Sequence, residues 1–296
     1  MLKYLILIFL FLGANAEFRL AVAEQINTKN RMPCGGGIVK YKAQSQSSIP
    51  NFNAERSFFH RANIGAQGLQ SGQLSVTFVG HSTFLIRSPQ DIRVITDYND
   101  HFRADLRPDI ITMDVGGRSH STNFISPNIS HVLRGWTEAL TPQRHDVTLK
   151  DVRVYNLPTN IMDFGAGFSN FSSVFIIQSQ GLCIAHMGHL QHVLDQQALS
   201  GIGRIDVLLI PIDHRITQSY KELIHNIKGI NPRLLIPMHF DAMPTAETFI
   251  SDISKIYTVN RSETDTMVLS RSTLPIKTEV LLLSPQRPGS KLGSRL

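Results

Sequence analysis

The chain has 296 residues, 42% hydrophobic and 18% charged, enough apolar material for a real core in one large domain and too much for a disordered or fibrous class. Its formal charge is +6, but the basic residues are scattered, without runs or interleaved aromatics, so a nucleic-acid partner is not expected. Beyond the first residues, no stretch is long and apolar enough to span a bilayer.

Residues 1–16 begin with Lys3, continue as the apolar run Tyr4 to Leu12 and finish Ala14-Asn15-Ala16, the small-x-small pattern of a signal peptide cleaved near Ala16. A periplasmic or secreted protein is therefore expected. Loss of Lys3 leaves 28 basic against 23 acidic residues, 28 − 23 = +5. Residues 17–73 are polar and aperiodic, with Cys34-Gly35-Gly36-Gly37 and a Gln/Ser run, and read as a partly disordered leader. Phe58-Phe59-His60 is a short patch suited to docking on the body. An exported protein can form a disulfide, but Cys183 lies in an apolar strand and Cys34 in the leader. The expected state is an inert buried thiol.

From Leu74 the pattern changes to a domain over 74–285, followed by a flexible tail, 286–296. Strands are expected at Leu74 to Gly80, Ser82 to Ile86 and Ile92 to Thr96, a β-meander whose third strand ends at Asp97. Ile110 to Met113, His131 to Leu133 and Val152 to Leu157 follow. Val174 to Ile177 and Leu182 to Ala185 form a hairpin across Gln178-Ser179-Gln180-Gly181. Asp163 to Ser169, with Gly165 and Gly167, reads as a mobile lip. Helices are expected at Asp195 to Gly201, Gln218 to Ile227 and Thr245 to Tyr257, alternating with buried strands Val207 to Ile210, Leu234 to Ile236 and Val280 to Leu283. The order implies two mixed sheets packed face to face with helices outside.

The chemistry gathers at strand ends. His186, His189 and His192 follow the strand Leu182 to Ala185, with Gly188 allowing a sharp turn. The loop after Ile110 to Met113 carries His120, and Leu234 to Ile236 runs into His239. His120, His186, His189 and His239 are a candidate donor set of neutral nitrogens for one divalent ion, with a position left open for water. A competing reading puts His189 and His192 on a solvated helix turn and leaves His186 alone buried. His81 suits a structural hydrogen bond, and Trp136 either a pocket wall or the core. Asp114 suits a turn or helix cap, support of an imidazole N–H or a substitute ligand, and with His214 is a candidate catalytic residue; His192 and His214 are outer candidates for proton transfer or substrate contact.

Four segments occur in an order that resembles the metallo-β-lactamase superfamily: Thr77 to Ile86, Pro108 to Met113, His186-Met187-Gly188-His189 and Ile236 to His239. The branch it looks like contains ascorbate-6-phosphate lactonases and N-acyl-phosphatidylethanolamine phospholipases D. The resemblance covers roughly Leu74 to Phe240. It implies an αββα sandwich with a zinc, manganese or iron site that hydrolyses esters, lactones, phosphodiesters or amides. The family's His-x-His-x-Asp-His loop falls on Val115, Gly117, Ser119 and His120, so only its last ligand survives. His186 and His239 match two further ligand histidines, and His189 replaces the bridging carboxylate.

A dinuclear site is therefore not expected. Four neutral ligands would leave the ion's charge uncompensated by protein. Two functions follow: an exported mononuclear hydrolase using metal-bound water on a small-molecule substrate, or a catalytically silent descendant that binds a small molecule or partner. An exported lactamase proper is the weaker third reading, because the histidine pair such enzymes use is missing.

Overall fold

A computed structural model describes Cys34 and residues 68–139, 141–163, 166–214 and 216–285, with the backbone alone for 161–171. The expected signal peptide, the leader apart from Cys34 and residues 68–73, the Phe58-Phe59-His60 patch and the tail 286–296 lie outside these residues. The first strands are β1 (Gln73–Gly80), β2 (Thr83–Arg87), β3 (Arg93–Ile95), β4 (Ile110–Met113) and β5 (His131–Arg134). Then come β6 (Asp146–Leu149), β7 (Val152–Asp163), β8 (Ala166–Ser179) and β9 (Leu182–His186). The last part alternates: α1 (Gln196–Ile202), β10 (Val207–Pro211), α2 (Tyr220–Ile230), β11 (Leu234–Met238), α3 (Met243–Ile253), β12 (Thr258–Arg261), β13 (Thr266–Ser270) and β14 (Glu279–Leu282).

The strands form two mixed sheets, as expected, in the orders β13-β1-β2-β3-β4-β5 and β12-β14-β11-β10-β9-β8-β7-β6. Period-two alternation sorts each strand of the smaller sheet onto two faces. Leu74, Val76, Phe78, Phe84, Ile86, Val94 and Ile110 join Val154, Val174, Ile176 and Ile184 of the larger sheet in one buried core. Phe78 and Phe84 stack there with ring centroids 4.9 Å apart. Val79, Leu85, Ile95, Ile111 and Met113 face the other way, into a smaller cluster closed by loop residues including Phe102, Ile129 and Trp136. The buried apolar residues of α1, α2 and α3 all belong to the main core, so the helical layer covers the larger sheet and loops cover the smaller one.

Local chemistry fixes the ends of these elements. Ser219 and Glu222 form a capping box that opens α2, and Asn231 closes it in the left-handed region. Gln180 and Gly181, at φ 53° and 72°, turn β8 into β9 as the hairpin requires. Asp163 pairs with Ala166, so the described residues of the expected lip extend the β7–β8 ribbon. Three strands absent from the sequence reading, β6, β12 and β13, each lie at a sheet edge, where half-exposed residues leave a weak apolar pattern.

The cysteine expectation is corrected. Cys34 and Cys183 form a disulfide with Cα atoms 5.7 Å apart, because Cys34 makes an antiparallel bridge with Gly203 and so lies beside β9.

Candidate metal centre

The topology concentrates chemistry on one edge. β9, β10 and β11 are parallel, so their carboxyl ends deliver His186 and His189, Asp213, and His239 to the same side. From the other sheet, the β1–β2 turn supplies His81, the segment after β3 supplies Asp97, and the loop after β4 returns with His120. A backbone bond of 2.6 Å from the His239 N–H to the His81 carbonyl ties the two sheets together there. His81, Asp97 and His239 hold φ of 51°, 45° and 63°, a region that costs a non-glycine residue about 1–2 kcal/mol each. Such strain persists only where the surroundings impose it.

Three imidazoles share one arrangement. His120 Nδ1 lies 2.5 Å from Asp97 Oδ2, His81 Nδ1 2.8 Å from Asp241 Oδ1, and His239 Nδ1 3.3 Å from Asp213 Oδ2. An ionised carboxylate only accepts, so each Nδ1 carries the hydrogen and each Nε2 is left with a lone pair. Those remaining nitrogens converge. His120 Nε2 and His239 Nε2 are 3.1 Å apart, and His81 Nε2 is buried with no partner among the described residues. Donor atoms of His81, His120 and His239 all lie within 4.8 Å of one another. Two bare lone pairs at hydrogen-bond distance repel unless a proton or cation stands between them, so the donor chemistry fits a divalent ion.

Electrostatics point the same way. Burial and the neighbouring histidines lower His81 to about 4, and His120 and His189 to about 3, so all three rings are neutral at pH 7. Asp213, although burial pushes it upward, is held at about 2 by hydrogen bonds from His239 and Thr217. Burial pushes Asp97 up, and the opposing pull of His186 and its other neighbours is smaller; a cation among the rings would hold that carboxylate ionised. The expectation of an uncompensated ion is thus corrected: Asp97, Asp213 and Asp241 stand one hydrogen bond behind the rings.

The expected donors divide. His120 and His239 are in the cluster, and the His189 ring lies 5.1 Å from each of theirs, where Gln191 approaches its Nδ1 at 3.3 Å. No solvated helix forms there; His189 is buried in a turn. His186 is buried beneath the cluster with both nitrogens engaged: Nε2 donates to the Ser82 carbonyl at 2.7 Å and Nδ1 accepts from the Gly188 N–H at 3.2 Å. It has no lone pair to offer in this arrangement. Val115, Gly117 and Ser119 occupy the loop without ligating groups; a Cβ at neighbouring Gly116 would meet the His120 ring at 2.5 Å.

Asp114 braces the site. Its carboxylate accepts from Ser172 Oγ, Ser173 N–H, His189 N–H and Val115 N–H, while burial and Asp97 push its pKa up to about 7. A Cβ at Gly188, which has φ 55°, would come within 2.1 Å of Asp114 Oδ2, so this turn requires glycine. His214 packs on Tyr220 and Phe249, with Nδ1 3.4 Å from the Gln218 carbonyl, away from its expected place; its neighbour Asp213 reaches the cluster instead. His192 is half-buried, and its Nε2 accepts from the Asn160 N–H at 3.1 Å. His81 makes the expected structural bond and also joins the cluster. Sequence reading missed the roles of Asp97, Asp213 and Asp241. The available signal for the first two was an acid just past a buried strand.

A family model for the beta-lactamase superfamily domain (Lactamase_B_3) matches residues 75–239, over half of the chain. A UPF0173 metal-dependent hydrolase of Methanosarcina mazei is 23% identical over 226 residues, covering 67% of this chain and 96% of the relative. One of Archaeoglobus fulgidus is 19% identical over 231 residues, covering 66% and 96%. Among solved structures, a candidate Zn-dependent hydrolase of the metallo-beta-lactamase superfamily from Thermotoga maritima aligns with TM-score 0.54 and 21% identity over 72% of this chain and all of the other. A candidate metal-dependent hydrolase from Parabacteroides distasonis aligns with TM-score 0.51 and 12% identity over 72% of this chain and 94% of the other. With its two face-to-face mixed sheets, histidines gathered on their shared edge and a family match across both, this chain belongs to the metallo-β-lactamase superfamily.

Proposed function

We propose that the chain is a metal-dependent hydrolase that holds one divalent ion on His81, His120 and His239, with His189 at the fourth side. The observation that carries this reading is the threefold repetition of a carboxylate on Nδ1 with Nε2 turned inward. The names of the M. mazei and A. fulgidus relatives support it. An all-imidazole donor set suits zinc, with iron or manganese as the alternatives. When bound, such an ion supplies Lewis acidity and lowers the pKa of water.

The chain's own residues supply order. Asp97, Asp213 and Asp241 fix ring tautomer and direction, Asp114 holds the turn that carries His189, and Gln191 approaches the His189 ring while donating to the Ile216 carbonyl. The substrate class is an ester, lactone or phosphodiester, by resemblance to the lactonase and phospholipase branch. Export fits the signal-like residues 1–16 and the Cys34–Cys183 disulfide, a bond favoured in oxidising compartments. Among the described residues no helix is long and apolar enough to cross a membrane.

The test is metal content by mass spectrometry on purified protein, with hydrolysis of aryl esters, lactones and phosphodiesters by wild type and His239→Ala. About one equivalent of metal and His239-dependent turnover are expected. The absence of ligands at Val115, Gly117 and Ser119 favours a second reading, a silent ligand-binding member of the fold. Bound metal with identical background rates in wild type and variant would select it.

A further inference from the structure

A cavity of about 330 Å³ opens between β7 and the segment that follows His189, with Leu157, Pro158, Val193 and Ala198 forming its apolar wall. Its distance from the cluster is short. Thr159, which lines it, is the cross-strand partner of Ser172; Ser172 Oγ donates to Asp114 at 2.7 Å, and Asp114 accepts from the His189 N–H at 3.0 Å. Adjacent strands are about 4.8 Å apart, so the cavity flanks the histidines.

Two charged groups in its lining are unspent. Arg144 is exposed to the cavity and has neither an ion pair nor a hydrogen bond among the described residues. Asp195 caps α1 through one oxygen, accepting from the Ala198 N–H at 2.7 Å, and forms no ion pair there either. A guanidinium and a carboxylate therefore line one small cavity without neutralising each other. The His192 ring is not such a group, since it accepts the Asn160 N–H on Nε2 and donates from Nδ1 to the Val193 carbonyl at 2.9 Å.

We infer that this cavity is a binding site for a small zwitterion of amino-acid type, its carboxylate on Arg144, its ammonium on Asp195 and its apolar side chain against Leu157, Pro158, Val193 and Ala198. The volume lies at the small end of the range for ligand sites, which suits one residue-sized molecule better than a polymer. Arg pairs with a carboxylate through two parallel hydrogen bonds, and this gives the site its direction. The inference does not depend on the hydrolase reading.

The test is calorimetric titration of the purified whole chain with L-leucine, N-acetyl-L-leucine and L-leucinamide, on both chelator-treated and metal-supplemented protein. Leucine is expected to bind equally in both states and about tenfold or more tighter than either single-charge analogue, a difference of about 1.4 kcal/mol. Arg144→Gln weakens leucine about tenfold. Asp195→Asn retains the helix cap, since Asn caps as well as Asp, and brings leucine affinity down toward that of N-acetyl-leucine. Absence of leucine binding to wild type, equal binding of all three probes, or an Arg144→Gln variant that melts and binds like wild type would each overturn the proposal. Loss of hydrolytic activity or of metal with leucine binding intact would count against the hydrolase reading alone.

Discussion

The carboxyl ends of β9 and β11 look alike in sequence and differ in what they do. Each is a five-residue, fully buried strand running into a histidine on the same edge of the same sheet. At β9, His186 Nε2 is tied to the Ser82 carbonyl, and its other nitrogen accepts a backbone N–H, so the ring braces the two sheets. At β11, His239 Nδ1 meets the Asp213 carboxylate, which leaves Nε2 facing His120 at 3.1 Å. A carbonyl on Nε2 makes a strut; a carboxylate on Nδ1 leaves Nε2 with a lone pair to offer. The partner of one nitrogen, rather than delivery to the edge, separates structure from chemistry.

The largest effect should come from removing rings on the two sides of this comparison. His239→Ala and His120→Ala should drop bound metal from about one equivalent to below about a tenth, measured by elemental analysis, because each deletes a primary donor. His186→Phe, which keeps a ring of similar shape, should leave the metal content unchanged. Equal loss from all three variants would erase the distinction.

Acid provides a broader test. In metal-free protein, His81, His120, His186 and His189 have lowered pKa values, mainly through burial, while burial raises Asp97 and Asp114. Between about pH 6.5 and 5 the unfolded chain protonates His81, His120 and His189, which the fold holds at about 4, 3 and 3, while the fold keeps a proton on Asp114, held at about 7, that the unfolded chain loses. The net excess of 3 − 1 = 2 protons in the unfolded state means that stability falls as pH drops, by up to about 2–3 kcal/mol per pH unit. Urea unfolding of chelated protein at pH 6.5, 6.0 and 5.5 measures the slope, and a flat profile would contradict the buried neutral rings.

The brace has its own cost. His186→Phe leaves the Ser82 carbonyl and the Gly188 N–H without partners, and should lower unfolding free energy by about 1–3 kcal/mol in denaturant melts. Asp213→Asn tests the other side more gently. The ring of His239 remains while its charged acceptor is lost, so metal affinity measured by chelator competition should weaken about 10–100-fold with the melting temperature nearly unchanged.

Much of the fold was legible because buried strands carry dense apolar runs and the β8–β9 turn carries its own chemistry. The edge strands β6, β12 and β13 were not, since half of each faces solvent and its pairing is supplied by a distant neighbour. In the site, strand-end histidines were visible and their roles were not. At the end of β10 the informative residue was Asp213, one position before the His214 chosen from its residue type. His81 was read as structural from its place between two strands, yet only its Nδ1 is structural; its Nε2 belongs to the cluster.

The amino-acid order alone determined which histidines reach the edge of the sandwich, because apolar periodicity and glycine turns are local properties. Tertiary structure decided which of them present a lone pair. His186 finds its carbonyl 104 residues away, and His81 finds its carboxylate 160 residues away. Disulfide pairing followed the same rule, since Cys34 and Cys183 are 149 residues apart and meet only in the folded chain, where Cys34 also bridges Gly203. The protonated nitrogen of an imidazole is set by its neighbour in space, and folding across the two sheets chooses that neighbour.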